Sequence, residues 1–278
     1  MLKCDFQNAF NERKREQVLS DLFNEDSLQP IWRLSHWAYK APSELLVLDN
    51  GEICASISSE QGVKQGDGLG SLLFSLSMQR IYRRATRNVQ RVRCVAVADD
   101  LNLVGPASDA LRAFDDLSVD IQDTGLRLRA SKCGLLWPHN TQLPPDLRAA
   151  AEARSIQIFQ GHMITLGAPV GTDESGINAW LHEQIESHSR FFERLLRPDL
   201  PVQVAMLLLR LCMLPRLSYL ARVVPPGTLA PHAKEFDNTV IRTASEKLGL
   251  PLPSTIMWHF FPCHCPFVLE GLGSGLFA

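Results

Sequence analysis

A chain of 278 residues with a formal net charge of −2, 45% apolar and 21% charged residues is long enough to bury a sizeable core as one large domain or two. That balance excludes a protein that is basic throughout, so any nucleic-acid footprint has to be local, and with no basic-then-apolar leader and no run of about 18 apolar residues neither a signal peptide nor a membrane span is expected. Seven irregularly spaced cysteines suit a reducing compartment better than a disulfide framework, which places the expected location inside the cell, nuclear or cytoplasmic. In chain order, a short apolar stretch, Leu2-Lys-Cys4, ends on Asp5 and reads as a strand, and helical patterns follow at 12–24 and 28–40. Leu45 to Ile57 alternates around Asn50-Gly51, a hairpin signal, because both residues take the positive φ of a tight turn. A Gly-rich loop at 62–70 precedes a helix from Ser71 to about Asn88. Cys94 to Gly105 then reads as a second hairpin with Asp99 and Asp100 at its crest, followed by a helix near 108–123 and short strands around 133–137, 156–159 and 163–167. From Ile177 the period changes: Ile177, Trp180, Leu181, Ile185, Phe192, Leu195 and Leu196 recur at helical spacing, in a region broken by Pro198, Pro201, Pro215 and Pro225-Pro226. The fold class is α+β followed by an all-helical region.

Asp99 and Asp100 are the most informative pair. Adjacent carboxylates between β-formers repel and raise each other's pKa unless a cation lies between them. Mg²⁺ takes one or two protein carboxylates, keeps its waters and binds substrate phosphates, so it suits such a pair. An isolated Asp-Asp turn is ordinarily just solvated; a third acid, Asp5, at the end of another apolar stretch raises the chemical reading. If the Asp5 segment pairs beside the hairpin, three carboxylates converge at one sheet edge, the geometry of two-metal phosphoryl transfer, and their carboxyls should lie within about 8 Å of one another.

The motifs Asp-x-x-x-Ala-Phe at 5–10, Gln61-Gly-Val-Lys-Gln-Gly-Asp-Gly-Leu-Gly-Ser-Leu-Leu-Phe74, Ala98-Asp-Asp100 and Thr124-Gly-Leu-Arg-Leu-Arg-Ala-Ser-Lys-Cys133 occur in the order of the palm motifs of reverse transcriptases. The chain resembles the reverse transcriptase of a non-LTR (LINE-like) retrotransposon; Leu166-Gly-Ala-Pro-Val-Gly171 and Val204 to Tyr219 extend the likeness over nearly the whole length. The resemblance implies a polymerase-type palm, an antiparallel sheet with helices on one face, over 1–171, and a helical thumb-like and C-terminal region over 172–278. It implies two Mg²⁺ ions, held by Asp5, the Phe6 carbonyl, Asp99 and Asp100. An RNA template, a DNA primer and deoxynucleoside triphosphates are the implied partners, with no membrane. Phe10 stands where the family crowds the sugar 2′ position, Gln65-Gly66 where a loop packs on the nascent base pair, and Lys132 where a lysine is proposed to protonate pyrophosphate. An ordinary core phenylalanine, a glycine turn and a surface lysine are the bland alternatives.

In this family the fingers, with their cations over the triphosphate, precede the block containing Asp5. The expectation is therefore a truncated copy, completed by a fingers segment or a partner chain, with exposed apolar surface where fingers pack and little primer extension by the chain alone. Arg13, Lys14 and Arg15, read as surface residues, are the candidates to take over the triphosphate. Two arginine groups are candidate phosphate contacts: Arg80, Arg83, Arg84, Arg87, Arg91 and Arg93, and, later, Arg190, Arg194, Arg197, Arg210, Arg216 and Arg222, each equally readable as solvated helix surface. Departures from the family are Gly68 and Ser71 in place of proline, Val97 in place of an aromatic, and Arg129 in place of asparagine. The rivals to an enzyme of this kind are a folded, inactive remnant that binds nucleic acid, a metal-dependent nuclease using the same three acids, and a metal knuckle at His259, Cys263, His264 and Cys265.

Overall fold

The computed structural model describes residues 1–139 and 141–251. The His259–Cys265 group lies outside the described residues. The chain divides into two compact units, Met1–Gln160 and Gly161–Ala278. In order, the first unit contains β1 (Leu2–Cys4), α1 (Ala9–Glu12), α2 (Arg15–Phe23), α3 (Gln29–Tyr39), β2 (Ser43–Asp49), β3 (Glu52–Ser59), α4 (Gly70–Ala85), β4 (Arg93–Val97), β5 (Asp100–Val104), α5 (Ala107–Asp120), β6 (Gly134–Trp137), α6 (Pro145–Glu152) and β7 (Gln157–Gln160).

Five strands form one sheet of order β4-β5-β1-β6-β7, antiparallel except that β7 joins β6 in parallel. Strand alternation sends Leu2, Cys4, Leu101, Leu103 and Leu135 into the core against Phe74 and Met78 of α4 and Leu111, Phe114 and Leu117 of α5. On the opposite face Val95 and Val97 stay exposed. The unit is α+β, with helices layered on one side of the sheet, and the carboxylates expected to act together come from strands at its middle.

The β2–β3 ribbon forms as its alternation predicts, turning at Asn50 (φ 50°) and Gly51 (φ 87°). A bulge between Val47 and Leu48 brings Leu48 onto the face already occupied by Leu45, Val47, Ile53 and Ile57. All five of those side chains are exposed, as are Leu34 and Trp37 of α3, so the ribbon has an uncovered apolar face.

Two expectations about charge are corrected. Arg13 and Arg15 are only 3% and 6% exposed. The Arg13 guanidinium donates to Asp21 Oδ2, Ser77 Oγ, the Ser77 and Thr124 carbonyls and Gln17. Arg15 donates to the carbonyls of Gly62, Ala41 and Ser59 and to Ser59 Oγ. Arg13 ties α2 to α4 and to the loop at Thr124, Arg15 ties α2 to the segments at Ala41, Ser59 and Gly62, and neither guanidinium is free to meet a triphosphate.

The second unit begins with a hairpin of β8 (His162–Thr165) and β9 (Ala168–Gly171), followed by α7 (Glu174–Glu186), α8 (Ser189–Leu195), α9 (Val202–Leu208), α10 (Leu220–Val223) and α11 (Pro226–Leu248). Phe236, Val240 and Ala244 of α11 pack with Ile185, Phe192 and Leu195 of the period seen in the sequence and with Ala205 and Leu209, while Leu181, Ile177 and Trp180 of that period join a separate cluster with Leu229 and Ala233. Val202–Val223, with a mean hydropathy of 1.6, is long and apolar enough to cross a membrane by length and composition alone. It is broken by a π turn at Leu209–Met213 and a 3₁₀ turn at Leu214–Leu217.

Candidate active site

The site is built by register. β1 pairs with β5 through Cys4 and Leu101, and one further step sets Asp5 opposite Asp100. β4 pairs with β5 through Val97 and Asp100, leaving Ala98 and Asp99 as a two-residue turn. Ala98 has φ 55°, a positive value that glycine ordinarily takes and that crowds an alanine Cβ. Holding alanine there costs about 1–2 kcal/mol. The strain is held in place from α4: Tyr82, its ring 6.3 Å from that of Phe6, donates its hydroxyl to the Ala98 carbonyl at 3.1 Å. Burial pushes the Tyr82 hydroxyl pKa up, and Cys94 and Asp99 add to the shift.

Asp99 is held above the usual carboxylate pKa of 3.8, first by burial and then by the like charges of Asp100 and Asp5, against a lowering hydrogen bond from its own backbone N–H. Asp5 is fixed through its main chain: its N–H donates to Cys133 Sγ at 3.3 Å and its carbonyl accepts from Arg129 N–H at 2.9 Å. Its side-chain Oδ1 is buried and has no hydrogen-bond partner. Phe6 bridges Leu128 across bonds made by the residues on either side, Arg129 N–H to Asp5 and Gln7 N–H to Arg127. The Phe6 carbonyl therefore points away from Leu128, toward the side on which the hairpin lies.

These residues fit a divalent cation. A buried, acceptor-only oxygen without a donor is a cost that a cation relieves. Among the described residues no group of three His, Cys, Asp or Glu side chains is placed to hold an ion by itself. The donor set here, a carboxylate pair with a third acid beside it and a main-chain carbonyl, instead suits a hard ion that completes its shell with water and phosphate.

Phe10 stacks on Phe74 with ring centroids 4.0 Å apart and borders a cavity of about 280 Å³ with Lys64, Gln65, Gly66 and Asp67. The loop and Phe10 are tied together through their backbones, Val63 N–H to Phe10 C=O at 2.8 Å and Gly62 N–H to Arg13 C=O at 2.9 Å. A Cβ on Gly62, where φ is +72°, would lie 2.3 Å from the Phe10 carbonyl oxygen, so only glycine permits this approach. Lys132 is exposed in a 3₁₀ turn, Ala130–Lys132, three residues beyond the one that bonds the Asp5 carbonyl. The structure thus gathers Asp5, Asp99 and Asp100 at one end of the sheet, and Phe10, Gln65 and Gly66 around one cavity.

A family model described as reverse transcriptase (RNA-dependent DNA polymerase) matches residues 1–157. The chain belongs to the reverse transcriptase family. Its relatives include the retrotransposable element SLACS 132 kDa protein of Trypanosoma brucei gambiense, 22% identical over 248 residues, covering 89% of this chain and 20% of that protein. The retrovirus-related Pol polyprotein from type-1 retrotransposable element R2 of Nasonia vitripennis is 22% identical over 289 residues, covering 97% of this chain and 26% of that one. The chain therefore spans about a fifth to a quarter of the length of these relatives, and it is a reverse transcriptase region of the non-LTR retrotransposon type. Among solved structures it is similar to telomerase from Candida albicans (TM-score 0.44, 12% identity, 88% of this chain and 44% of that one). Apo telomerase from Candida tropicalis is similar to the same degree (TM-score 0.44, 13% identity, 88% and 46%). The family generally uses divalent metal ions.

Several residues that shape this candidate site carry no local sequence signal. Tyr82 reaches the Ala98 turn from a helix whose sequence drew notice only for its arginines, and Tyr39 of α3 reaches Lys64 and Asp67 across more than 20 residues of sequence. A helical repeat seen alone cannot show which hydroxyl meets which loop. Of the first arginine group, Arg80 is paired with Asp21 at 2.8 Å and Arg91 lies 4.0 Å from Asp109; of the second, Arg197 is paired with Asp199 at 2.8 Å.

Proposed function

We propose that this chain carries out RNA-directed DNA synthesis by two-metal nucleotidyl transfer, with 1–171 as palm and 172–278 as a thumb-like and C-terminal region. The observation that supports this most is the buried, unpartnered Oδ1 of Asp5 beside a hairpin whose Asp99 is raised in pKa by burial and by the charges of Asp100 and Asp5. In this reading Asp5, the Phe6 carbonyl and Asp99 hold two Mg²⁺ ions, with Asp100 assisting. The ions, when bound, lower the pKa of a primer 3′-hydroxyl and neutralise charge on the departing pyrophosphate. The protein's own work is placement: Tyr82 fixes the turn that presents Asp99, Phe10 crowds the sugar 2′ position, Gln65-Gly66 packs on the nascent pair, and Lys132 supplies a proton to pyrophosphate. The partners are an RNA template, a DNA primer and deoxynucleoside triphosphates, met inside the cell in nucleus or cytoplasm.

A second reading, a folded but inactive copy that still binds nucleic acid, is favoured by the uncovered apolar face of the β2–β3 ribbon, which calls for a fingers segment or partner chain to complete the polymerase. Primer extension on poly(rA)·oligo(dT) with Mg²⁺ and dTTP separates the two. Extension that falls at least about a hundredfold in Asp99→Asn supports the enzyme. Undiminished incorporation in that variant overturns the assignment, and Mg²⁺ binding without extension by the wild-type chain supports the second reading.

A further inference from the structure

The loop from Lys64 to Gly70 contains three glycines, Gly66, Gly68 and Gly70, and no proline, so its backbone has little stiffness of its own. Its internal main-chain bonds are two turn contacts, Asp67 N–H to Lys64 C=O at 3.2 Å and Gly70 N–H to Asp67 C=O at 3.0 Å. What holds it lies underneath. The Tyr39 side chain, 1% exposed, brings one hydroxyl to both ends of the Lys64–Asp67 tetrapeptide, donating to Asp67 Oδ2 and accepting from the Lys64 N–H at 3.2 Å. The other carboxylate oxygen of Asp67 accepts from the Leu69 N–H at 3.0 Å, continuing the anchorage to the start of α4. Lys64 Nζ donates to the Ala38 carbonyl at 3.0 Å, and the Lys64 and Arg15 cations lie 5.6 and 5.7 Å from the Tyr39 ring centroid.

Gln65 and Gly66 are the two residues bracketed by this hydroxyl, and they face the cavity shared with Phe10. We propose that Tyr39 and Asp67 are a positioning pair that fixes the Gln65–Gly66 segment over the Phe10 cavity, and so sets how firmly a deoxynucleoside triphosphate is held without taking part in the chemistry. This rests on the nucleotide-binding reading of the cavity given above. Burial, with the Asp67 hydrogen bond, pushes the Tyr39 hydroxyl pKa up to about 12, so it stays protonated and able to donate across the working pH range. A loop that lacks proline is in this way stiffened by a side-chain crosslink from α3.

The test uses the full chain with Tyr39→Phe, which keeps the ring and removes the bridging oxygen. Hydrogen exchange at Lys64 and Leu69 should accelerate about tenfold or more, the effect of one lost charge-assisted hydrogen bond, while α3 and the body of α4 keep their protection. The Kd for Mg·dTTP, and the KM wherever turnover is measurable, should rise about tenfold with kcat nearly unchanged. Asp67→Ala should weaken binding in the same way, and because only the Tyr39–Asp67 bond is shared the double variant should fall clearly short of the sum of the two single ones. Unchanged exchange at 64–69 overturns the proposal. So does a general loss of protection through α3 and α4, or additive effects of the two substitutions. Asp99→Asn is the control for the underlying reading: if the wild-type chain and Asp99→Asn bind Mg·dTTP equally, the nucleotide-site assignment fails, and the exchange data still decide whether the clamp exists.

Discussion

Replacing Asp21 by alanine removes the carboxylate that pairs with the buried Arg13 guanidinium. The pair is close to solvent-free, with side-chain exposures of 3% for Arg13 and 10% for Asp21, at 3.3 Å. Burial lowers the Arg13 pKa despite the neighbouring charge, so desolvation already outweighs the attraction. Stripping one partner from a buried pair costs about 3–5 kcal/mol. Arg13 retains acceptors on Ser77, Thr124 and Gln17, and half-exposed Arg80, the other partner of Asp21, can turn to water, which puts the expected loss near the low end, about 3 kcal/mol. With a urea m-value of about 2 kcal/mol/M, the transition of the first unit should move down by about 1.5 M with its slope unchanged. Arg13→Met combined with Asp21→Leu should recover at least half of that loss, because no uncompensated charge is left inside. A midpoint shift below about 0.3 M for Asp21→Ala, on the same slope, would refute the reasoning that Arg13 is charged and desolvated.

Gly62→Ala should destabilise the first unit by about 2–4 kcal/mol in urea unfolding, combining a positive φ of +72° with backbone overlap on Phe10 and Asn11. Ala98→Gly relieves the φ 55° turn, so a gain of up to about 1 kcal/mol is expected in the same assay, and a loss would mean that the turn is not strained. In the second unit, Asp173 accepts from Gly176 N–H and pairs with His162, and these hold its folded pKa below the usual 3.8. A depressed folded pKa gives a contribution fully present above the unfolded value and lost as pH falls through the folded one. Thermal melts of Asp173→Asn should therefore be flatter than wild type below about pH 4, and parallel curves would contradict this.

The strands that place the acids were legible because their signals are local. The period-2 runs at 2–4 and 94–104 and the Asn50-Gly51 turn specify strand and hairpin within a few residues. That Asp5 ends its strand beside the crest of the hairpin was only a condition in the residues themselves, since apolar runs do not name their partners; the resemblance to the family's motif order is what implied it. The inward face of the later helices was legible through spacing alone. The bulge at Val47/Leu48, by contrast, depends on which strand residue slips, and the alternation of residues does not encode that. The parallel entry of β7 and the α6 helix were missed because short apolar segments look alike until their partners are known. Arg13 and Arg15 were misread as surface because their residue type is ordinarily exposed; their partners lie up to 111 residues away. The Tyr39 contact with Lys64 and Asp67 is invisible for the same reason.

Whether Asp5 and Asp99 hold divalent ions is tested most directly by titrating Mn²⁺ against the full chain, reading free ion by electron paramagnetic resonance, with Mg²⁺ as competitor. Wild type should bind the ion, and Asp5→Asn and Asp99→Asn should each weaken binding at least about tenfold while leaving the far-ultraviolet circular dichroism unchanged. Because the charge of Asp5 helps raise the Asp99 pKa, the loss of binding on acidification should also shift to lower pH when Asp5 is neutralised. Affinity that is the same in wild type and both variants would contradict the assignment of these carboxylates as the metal-binding centre.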